Sequence, residues 1–222
     1  MSMFLGPIHY WLYNKITIVE ARRERYLQAL EKKYGKDFTA MADALEEEYG
    51  PKLDGQRLDQ MLGNNPIHGF LSSLILKVEG GEGKLVKAAM DKYNGDAFNL
   101  LLETAERHGR EIGERAVTEK DISLPSVEDV YRLLNDYLLE GMPCDQGPTP
   151  VQKSSNAFEL QHNSCLHRNN WEAVDAPMME MCCFTNAWIG GFVQAVKPGM
   201  QYERIAALAS GDPGCVAEYK AG

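Results

Sequence analysis

Five cysteines carry the most reactive side chains of this sequence, and all of them fall after residue 143: Cys144, Cys165, Cys182, Cys183 and Cys215. An odd count, with no thiol in the longer first part, argues against a disulfide framework. The thiol itself is then the group of interest, because the thiolate is the competent form for metal binding and for nucleophilic attack. Cys165, Cys182 or Cys183, and Cys215, together with a histidine, have the composition of a zinc centre. The C-x-x-C spacing of common zinc motifs is absent, and Cys165-x-His167 is the nearest local substitute. Cysteine is also among the most buried residue types, so Cys182 and Cys183, inside an apolar run, read equally as core packing. A second metal-competent set lies far upstream: His9, His68, Glu20 and Glu79, imidazole and carboxylate being ligands suited to zinc or iron. The Glu-x-x-His signature of ferritin-like sites is missing.

The elements that must position these upstream residues are legible from an internal repeat. Residues 7–50 align without a gap on residues 66–109 at an offset of 59, with 13 of 44 positions identical, among them Pro7/Pro66, His9/His68, Leu12/Leu71, Ile16/Ile75, Val19/Val78, Glu20/Glu79, Tyr34/Tyr93, Asp37/Asp96 and Gly50/Gly109. We infer a duplicated helix-turn-helix unit. Each copy opens with Pro at a helix start, where the missing N–H costs nothing, and continues with Ile8, Leu12, Ile16 and Val19, or Ile67, Leu71, Ile75 and Val78, at helical spacing. Tyr34-Gly35-Lys36-Asp37 and Tyr93-Asn94-Gly95-Asp96 supply turns, with Asp placed to cap the second helix and Gly50 or Gly109 to end it. Gly80, Gly81 and Gly83 predict a break in the long helix of the second copy. His9 and Glu20 share a helix face but lie roughly 16 Å apart along it. Antiparallel packing of the copies about a pseudo-twofold axis would therefore set His9 opposite Glu79 and His68 opposite Glu20, as a metal site or as buried hydrogen bonds. Such symmetry is satisfied within one chain, so a homodimer is allowed and not required.

After a further helix through Val127, Val130, Tyr131, Leu134 and Leu138, introduced by Pro125-Ser126 and closed by Gly141, the stretch GMPCDQGPTPVQKSS reads as a linker. The expected division is a helical region 1–141, a linker 142–155 and a cysteine-containing region 156–222. In the last, Phe158, Leu160 and His162 alternate as in a strand, helices are expected over 166–174 and 178–196, and strands over 200–209 and 215–220 flank the turn Ser210-Gly211-Asp212-Pro213-Gly214. The fold class is α+β: an N-terminal helical bundle from the duplicated unit, and a C-terminal antiparallel sheet with helices on one face.

Composition narrows the partners. The chain has 222 residues, 44% hydrophobic and 25% charged, enough for a sizeable core, and its net charge of −9 argues against nucleic acid or anionic lipid as the main partner. No apolar run reaches the roughly 18 residues a membrane span needs, and the start MSMFLGPIHYWLYNK lacks the basic segment and cleavage site of a signal peptide, so a cytoplasmic protein with a small-molecule ligand is expected.

The stretch from Cys165 to Tyr219 resembles the L-2-amino-thiazoline-4-carboxylic acid hydrolase-like family. The resemblance rests on five ordered features: Cys165 after a strand, Cys182-Cys183, the step Lys197-Pro198, Arg204 in a strand, and the hairpin Gly211-Asp212-Pro213-Gly214-Cys215. It covers about a quarter of the chain. The related 4-vinyl reductase domain, a small-ligand or metal-binding sensor, shares the Gly-Asp-Pro-x-Cys hairpin. Where the hydrolase-like pattern carries Asp after Cys-Cys, this chain has Asn186, an amide that can neither act as a base nor hold a charge. The resemblance implies hydrolysis of a cyclic amidine bearing a carboxylate. Such chemistry needs a nucleophile, for which Cys183 or Cys165 is the candidate, an acid/base from His162 or His167, and Arg204 as a bidentate clamp for the carboxylate. The alternatives are a non-catalytic sensor using the same cysteines, or a function carried by the histidines and glutamates of the helical half.

Overall fold

The computed structural model describes residues 5–122, 126–145, 147–154 and 156–222, with the backbone alone of Gln152 and Lys153; Pro125 and the first four residues of the opening segment lie outside the described residues. Helix α1 (Pro7–Tyr34) turns at Gly35, whose φ of 79° needs a residue without a Cβ, into α2 (Lys36–Tyr49). A short α3 (Leu58–Leu62) leads to α4 (Ile67–Lys120), which is kinked at Asn94, φ 42°. Asn94 is the repeat partner of Gly35, so both copies bend at the same place, and asparagine is the side chain that best tolerates a positive φ.

The two copies pack parallel, not antiparallel. Tyr34 and Tyr93 stack at 3.7 Å, Lys33 Nζ meets Asp96 at 2.6 Å, and Lys92 reciprocates on Asp37. At the opposite end the rings of His9 and His68 lie 6.3 Å apart. Equivalent residues thus meet at both ends of the pair, and the pseudo-twofold axis runs along the helix pair. Buried Leu12, Ile16 and Val19 face Leu71, Ile75 and Val78 across that axis in one cluster, while Ile8 stays exposed. The parallel arrangement overturns the expected His9–Glu79 and His68–Glu20 pairings, since each histidine sits at the helix starts and each glutamate about three turns further along. Asp37 and Asp96 are correspondingly drawn to the lysine and tyrosine of the other copy and do not cap their own helices. Nor does α4 break at Gly80, Gly81 and Gly83: those positions are buried, and a Cβ at Gly81 would lie 2.7 Å from the Arg23 guanidinium. Gly109 is likewise mid-helix rather than terminal.

Helix α5 (Val127–Asn135) starts from Ser126, whose hydroxyl and Asp129 form a reciprocal cap. The sheet comprises β1 (Thr149–Ser154), β2 (Ala157–His162), β3 (Gln201–Ala206) and β4 (Cys215–Lys220) in the order β1-β2-β4-β3, all antiparallel. Strand β1 lies inside the expected linker; as an edge strand it accommodates Pro150. Between β2 and β3 come α6 (Arg168–Glu172), shorter than expected, and α7 (Met178–Val196), which runs where the sequence places it. Phe158, Leu160, Ala217 and Tyr219 bury the inner face of the sheet, whereas Gln161 and Glu203 leave the outer face wet. Helix α7 is sandwiched between that face and α4. Its contact with α4 is backbone-close: a Cβ at Gly109 would sit 1.9 Å from the Trp188 carbonyl oxygen, and one at Gly191 2.1 Å from that of Glu106. A continuous core runs from Ile18 through α4 and α7 to Tyr219, joining the helical half to the sheet. Among the described residues, no helix is long and apolar enough to cross a membrane.

Candidate functional site

A cavity of about 50 Å³ opens where β2, β4 and β3 meet α6 and α7. Alternation along the strands decides which residues reach it. Phe158, Leu160 and His162 share the inner face of β2; His162 pairs in register with Cys215, and Arg204 with Ala217. His162, Cys215 and Arg204 therefore emerge on the helix side of the sheet. Helix α7 presents Cys182, Thr185, Asn186 and Ile189, positions spaced three and four apart, and the segment entering α6 adds Cys165, His167 and Trp171.

Three thiols line the cavity. Asn186 Nδ2 donates to the Cys182 sulfur at 3.5 Å, and Leu208 N to that of Cys215 at 3.3 Å. Burial nevertheless pushes the Cys165 and Cys182 thiols above the ordinary range. Of the two expected nucleophiles, Cys165 lines the cavity and Cys183 does not; Cys183 is pushed up by burial and by Glu180, and its neighbour Cys182 is the one in the lining. Cys144 is exposed and is not among the residues lining the cavity.

Arg204 is the cation of the site. Its Nε donates to Asn186 Oδ1 at 3.1 Å and its Nη2 to the Tyr202 hydroxyl at 3.3 Å, while that hydroxyl donates to the same Asn186 oxygen at 2.7 Å. Among the described residues no carboxylate pairs with it. The guanidinium is thus held in place by neutral acceptors with its charge uncompensated, and burial drives the supporting Tyr202 hydroxyl up to about 12, so it stays protonated.

Two imidazole–carboxylate pairs flank the thiols. His167 Nδ1 lies 2.7 Å from Glu79 Oε1, the second oxygen of Glu79 accepts from Asn170 Nδ2 at 2.6 Å, and the His167 ring stacks on Trp171 at 4.8 Å. His162 Nε2 stands 3.6 Å from Glu140 Oε1. Burial opposes the charge on His167, but the Glu79 carboxylate overrides it and the net shift is upward; His162 is lowered by burial, with Arg204 and His167 adding to the effect against Glu140.

Of the expected metal ligands, the thiols gather at the cavity while the upstream set disperses. Glu79 serves His167. Glu20 Oε2 accepts from Leu53 N at 2.7 Å, and its Oε1 stands 3.5 Å from Arg23 Nη2 with no hydrogen-bond partner among the described residues. His9 Nδ1 accepts from the Gly6 N–H at 2.9 Å, which places its proton on Nε2, and His68 is exposed. Among the described residues, no group of three or more His, Cys, Asp or Glu is placed to hold a metal ion. Sequence reading missed Glu140 and Tyr202. Tyr202 had a signal, two residues before Arg204 in a strand and hence on its face; Glu140 had none, lying in a loop. The sequence separation of 88 between Glu79 and His167 likewise hides their contact. No protein-family model, curated protein or solved structure matches the chain.

Proposed function

We propose that this cavity binds a small carboxylate-bearing molecule and hydrolyses it, in the manner of the cyclic amidine hydrolases that the segment from Cys165 to Tyr219 resembles. The observation that carries the reading is Arg204: a mostly buried guanidinium, oriented by Asn186 and Tyr202 and left without a carboxylate partner, beside three thiols and two imidazoles. A buried cation with no carboxylate paired to it among the described residues is the natural anchor for a ligand anion. With the carboxylate on Arg204, the thiols that share its cavity, Cys165, Cys182 and Cys215, are the groups offered to the amidine carbon. A water held between the thiols attacks that carbon directly, or a thiol sulfur attacks first and a water then adds to the same carbon and expels the thiol. One water is consumed overall; the bond from the amidine carbon to the ring nitrogen breaks, the nitrogen leaves with a proton, and the carbon ends as a carbamoyl carbonyl. Proton transfer falls to His162 and His167. Asn186, where the family pattern has Asp, serves as the neutral support that keeps Arg204 positive.

One observation favours a second reading, binding without turnover. The Cys165 and Cys182 thiols are raised rather than lowered by their surroundings, which suits a sensor more than a free-standing nucleophile. A single experiment separates the two. Calorimetry with 2-aminothiazoline-4-carboxylate and with 2-aminothiazoline lacking the carboxylate is run beside chromatographic detection of ring opening. Tighter binding of the carboxylate form, lost in Arg204→Gln, is expected, with ring-opened product accumulating. Binding without product selects the sensor reading, and equal affinity for both compounds sinks the anion-anchoring assignment.

A further inference from the structure

We infer that the two imidazole–carboxylate pairs hold opposite protonation states at neutral pH, His167 with Glu79 carrying a proton to donate and His162 placed to accept one, and that Glu79, from the duplicated helical half, is the positioning residue that makes His167 the acid. The inference deepens the proposed hydrolytic reading and rests on it for its chemical use.

The asymmetry is geometric. Glu79 is 3% exposed and comes from α4, behind the cavity. Both its oxygens are committed, to His167 and to Asn170, and among the described residues neither is ion-paired to a cation other than His167. The nearest alternative, Arg22 on α1, is already engaged bidentately by Glu82 at 2.6 and 2.7 Å. A carboxylate so enclosed keeps its charge only beside a positive partner, and an imidazolium on Nδ1 is the one available. With Nδ1 pinned, Nε2 is the nitrogen left for proton exchange, and stacking on Trp171 fixes the ring plane. His162 has the reverse environment. Its carboxylate neighbour Glu140 stands at 3.6 Å, beyond hydrogen-bond distance, and is 18% exposed, so solvent shares that charge. Arg204 on β3 and His167 add positive potential, Cys215 on β4 and Cys182 and Thr185 on α7 complete the lining around it, and a proton on His162 is disfavoured. Around His167 the remaining charged groups are Glu140, which reinforces Glu79, and Arg22, which opposes it.

Two groups with split proton affinities across one cavity are what an addition followed by expulsion of a ring nitrogen requires. The proton leaving the attacking thiol or water passes to neutral His162, and the ring nitrogen takes its proton from His167 Nε2 as the carbon–nitrogen bond breaks. The pseudo-symmetric copy provides the contrast. Glu20 occupies the equivalent position but meets a backbone N–H and Arg23 in place of an imidazole.

Histidine side-chain nitrogen NMR titration of the full-length protein tests this, with resonances assigned through His162→Gln and His167→Gln. The wild type is expected to show His167 titrating above the ordinary value of 6.5 and His162 below it. Glu79→Gln lowers the His167 midpoint by at least about one pH unit, a tenfold loss of proton affinity, and leaves His162 within a few tenths; Glu20→Gln moves neither. Coincident or inverted midpoints in the wild type overturn the inference without recourse to any variant, so a misfolded Glu79→Gln cannot shelter it. If the midpoints are split but no substrate is consumed, the hydrolytic reading fails while the assignment stands. If they merge while the carboxylate ligand still binds through Arg204, only the assignment fails.

Discussion

Asn186→Asp is the substitution that most directly probes the logic of the site, because it changes one atom type and one charge. Asn186 Oδ1 accepts from Arg204 Nε at 3.1 Å and from the Tyr202 hydroxyl at 2.7 Å, and both groups can donate to a carboxylate oxygen in its place. At that separation and an effective dielectric of about 20, the new charge attracts the guanidinium by about 5 kcal/mol before its own desolvation is subtracted. The folded state is expected to hold its melting temperature or gain from the new pair. Ligand anions lose. A carboxylate bound on the far side of Arg204, on the order of 6 Å from the new charge, meets about 3 kcal/mol of repulsion, equivalent to a loss of roughly 100-fold in affinity. The assay uses the cavity thiols as reporters at about pH 8.5, near the ordinary thiol range. Alkylation of Cys165, Cys182 and Cys215 by anionic iodoacetate and by neutral iodoacetamide is followed by peptide mass spectrometry, with exposed Cys144 as the internal reference. In the wild type the iodoacetate-to-iodoacetamide rate ratio is higher at the cavity thiols than at Cys144; in Asn186→Asp it falls to the Cys144 value or below. A ratio unchanged by the substitution, or iodoacetate selectivity that increases, refutes the claim that Asn186 preserves an anion anchor.

Two stability predictions follow from the packing of α4 on α7. His108 is buried with its Nδ1 accepting from Trp188 Nε1 at 3.2 Å, and burial, with Arg22, Arg25 and Arg115 adding, holds its pKa down at about 3. The unfolded chain therefore binds a proton that the native state refuses. The stabilisation from keeping His108 neutral is fully present above the unfolded value of about 6.5 and is lost at about 1.4 kcal/mol per pH unit as the pH falls from there toward 3. Urea unfolding of His108→Gln between pH 7 and 4.5 should show a shallower decline than the wild type, and parallel profiles would remove His108 from the account. Gly109→Ala forces a Cβ to within 1.9 Å of the Trp188 carbonyl oxygen, so α7 must move off α4. A loss of about 3 kcal/mol or more is expected by denaturant midpoint, whereas Gly95→Ala, with open space around it, stays within about 1 kcal/mol. Equal effects of the two would show that the close approach is not limiting.

How much of this was legible from the chain alone depends on which physical quantity a pattern encodes. The offset of 59 located both long helices and the bends at Gly35 and Asn94, because sequence identity and turn chemistry are local. The direction of packing was not encoded: periodicity defines a buried face, not the sense in which two faces run. The parallel sense comes from Tyr34 on Tyr93 and the reciprocal Lys33–Asp96 and Lys92–Asp37 pairs, visible only once the copies are superposed in space. The glycines of α4 were misread for a related reason. Propensity marks Gly80, Gly81 and Gly83 as weak helix formers, but tertiary contact with Tyr49, Arg23, Val174 and Ala176 requires the absent Cβ and overrides it. The choice between Cys182 and Cys183 needed the rotational phase of α7. Adjacent residues on a helix diverge by about 100°, and a helix apolar all round carries no phase signal. Cys165, Cys182, Cys215, Arg204 and His167 were all named from the sequence as site candidates. What remained hidden was Glu79 as the support of His167, a contact made across a sequence separation of 88.

That hidden contact also explains why a duplicated scaffold need not give a duplicated site. The parallel pair presents two equivalent buried carboxylates, Glu20 and Glu79, on opposite sides of its axis. The α6 segment docks beside only one of them, where Val174 and Ala176 close over Gly83 of α4 and bring His167 and Asn170 onto Glu79. The equivalent of Gly83 in the first copy is Glu24, a charged side chain engaged with Arg23 and Lys52, which denies that face the same close approach. The first-copy glutamate is instead satisfied locally, by Leu53 N and Arg23, within the helical half. One substitution class, glycine against glutamate at a repeat position, thus determines which copy can be covered, and the covered copy is the one whose carboxylate reaches the thiol cavity through His167.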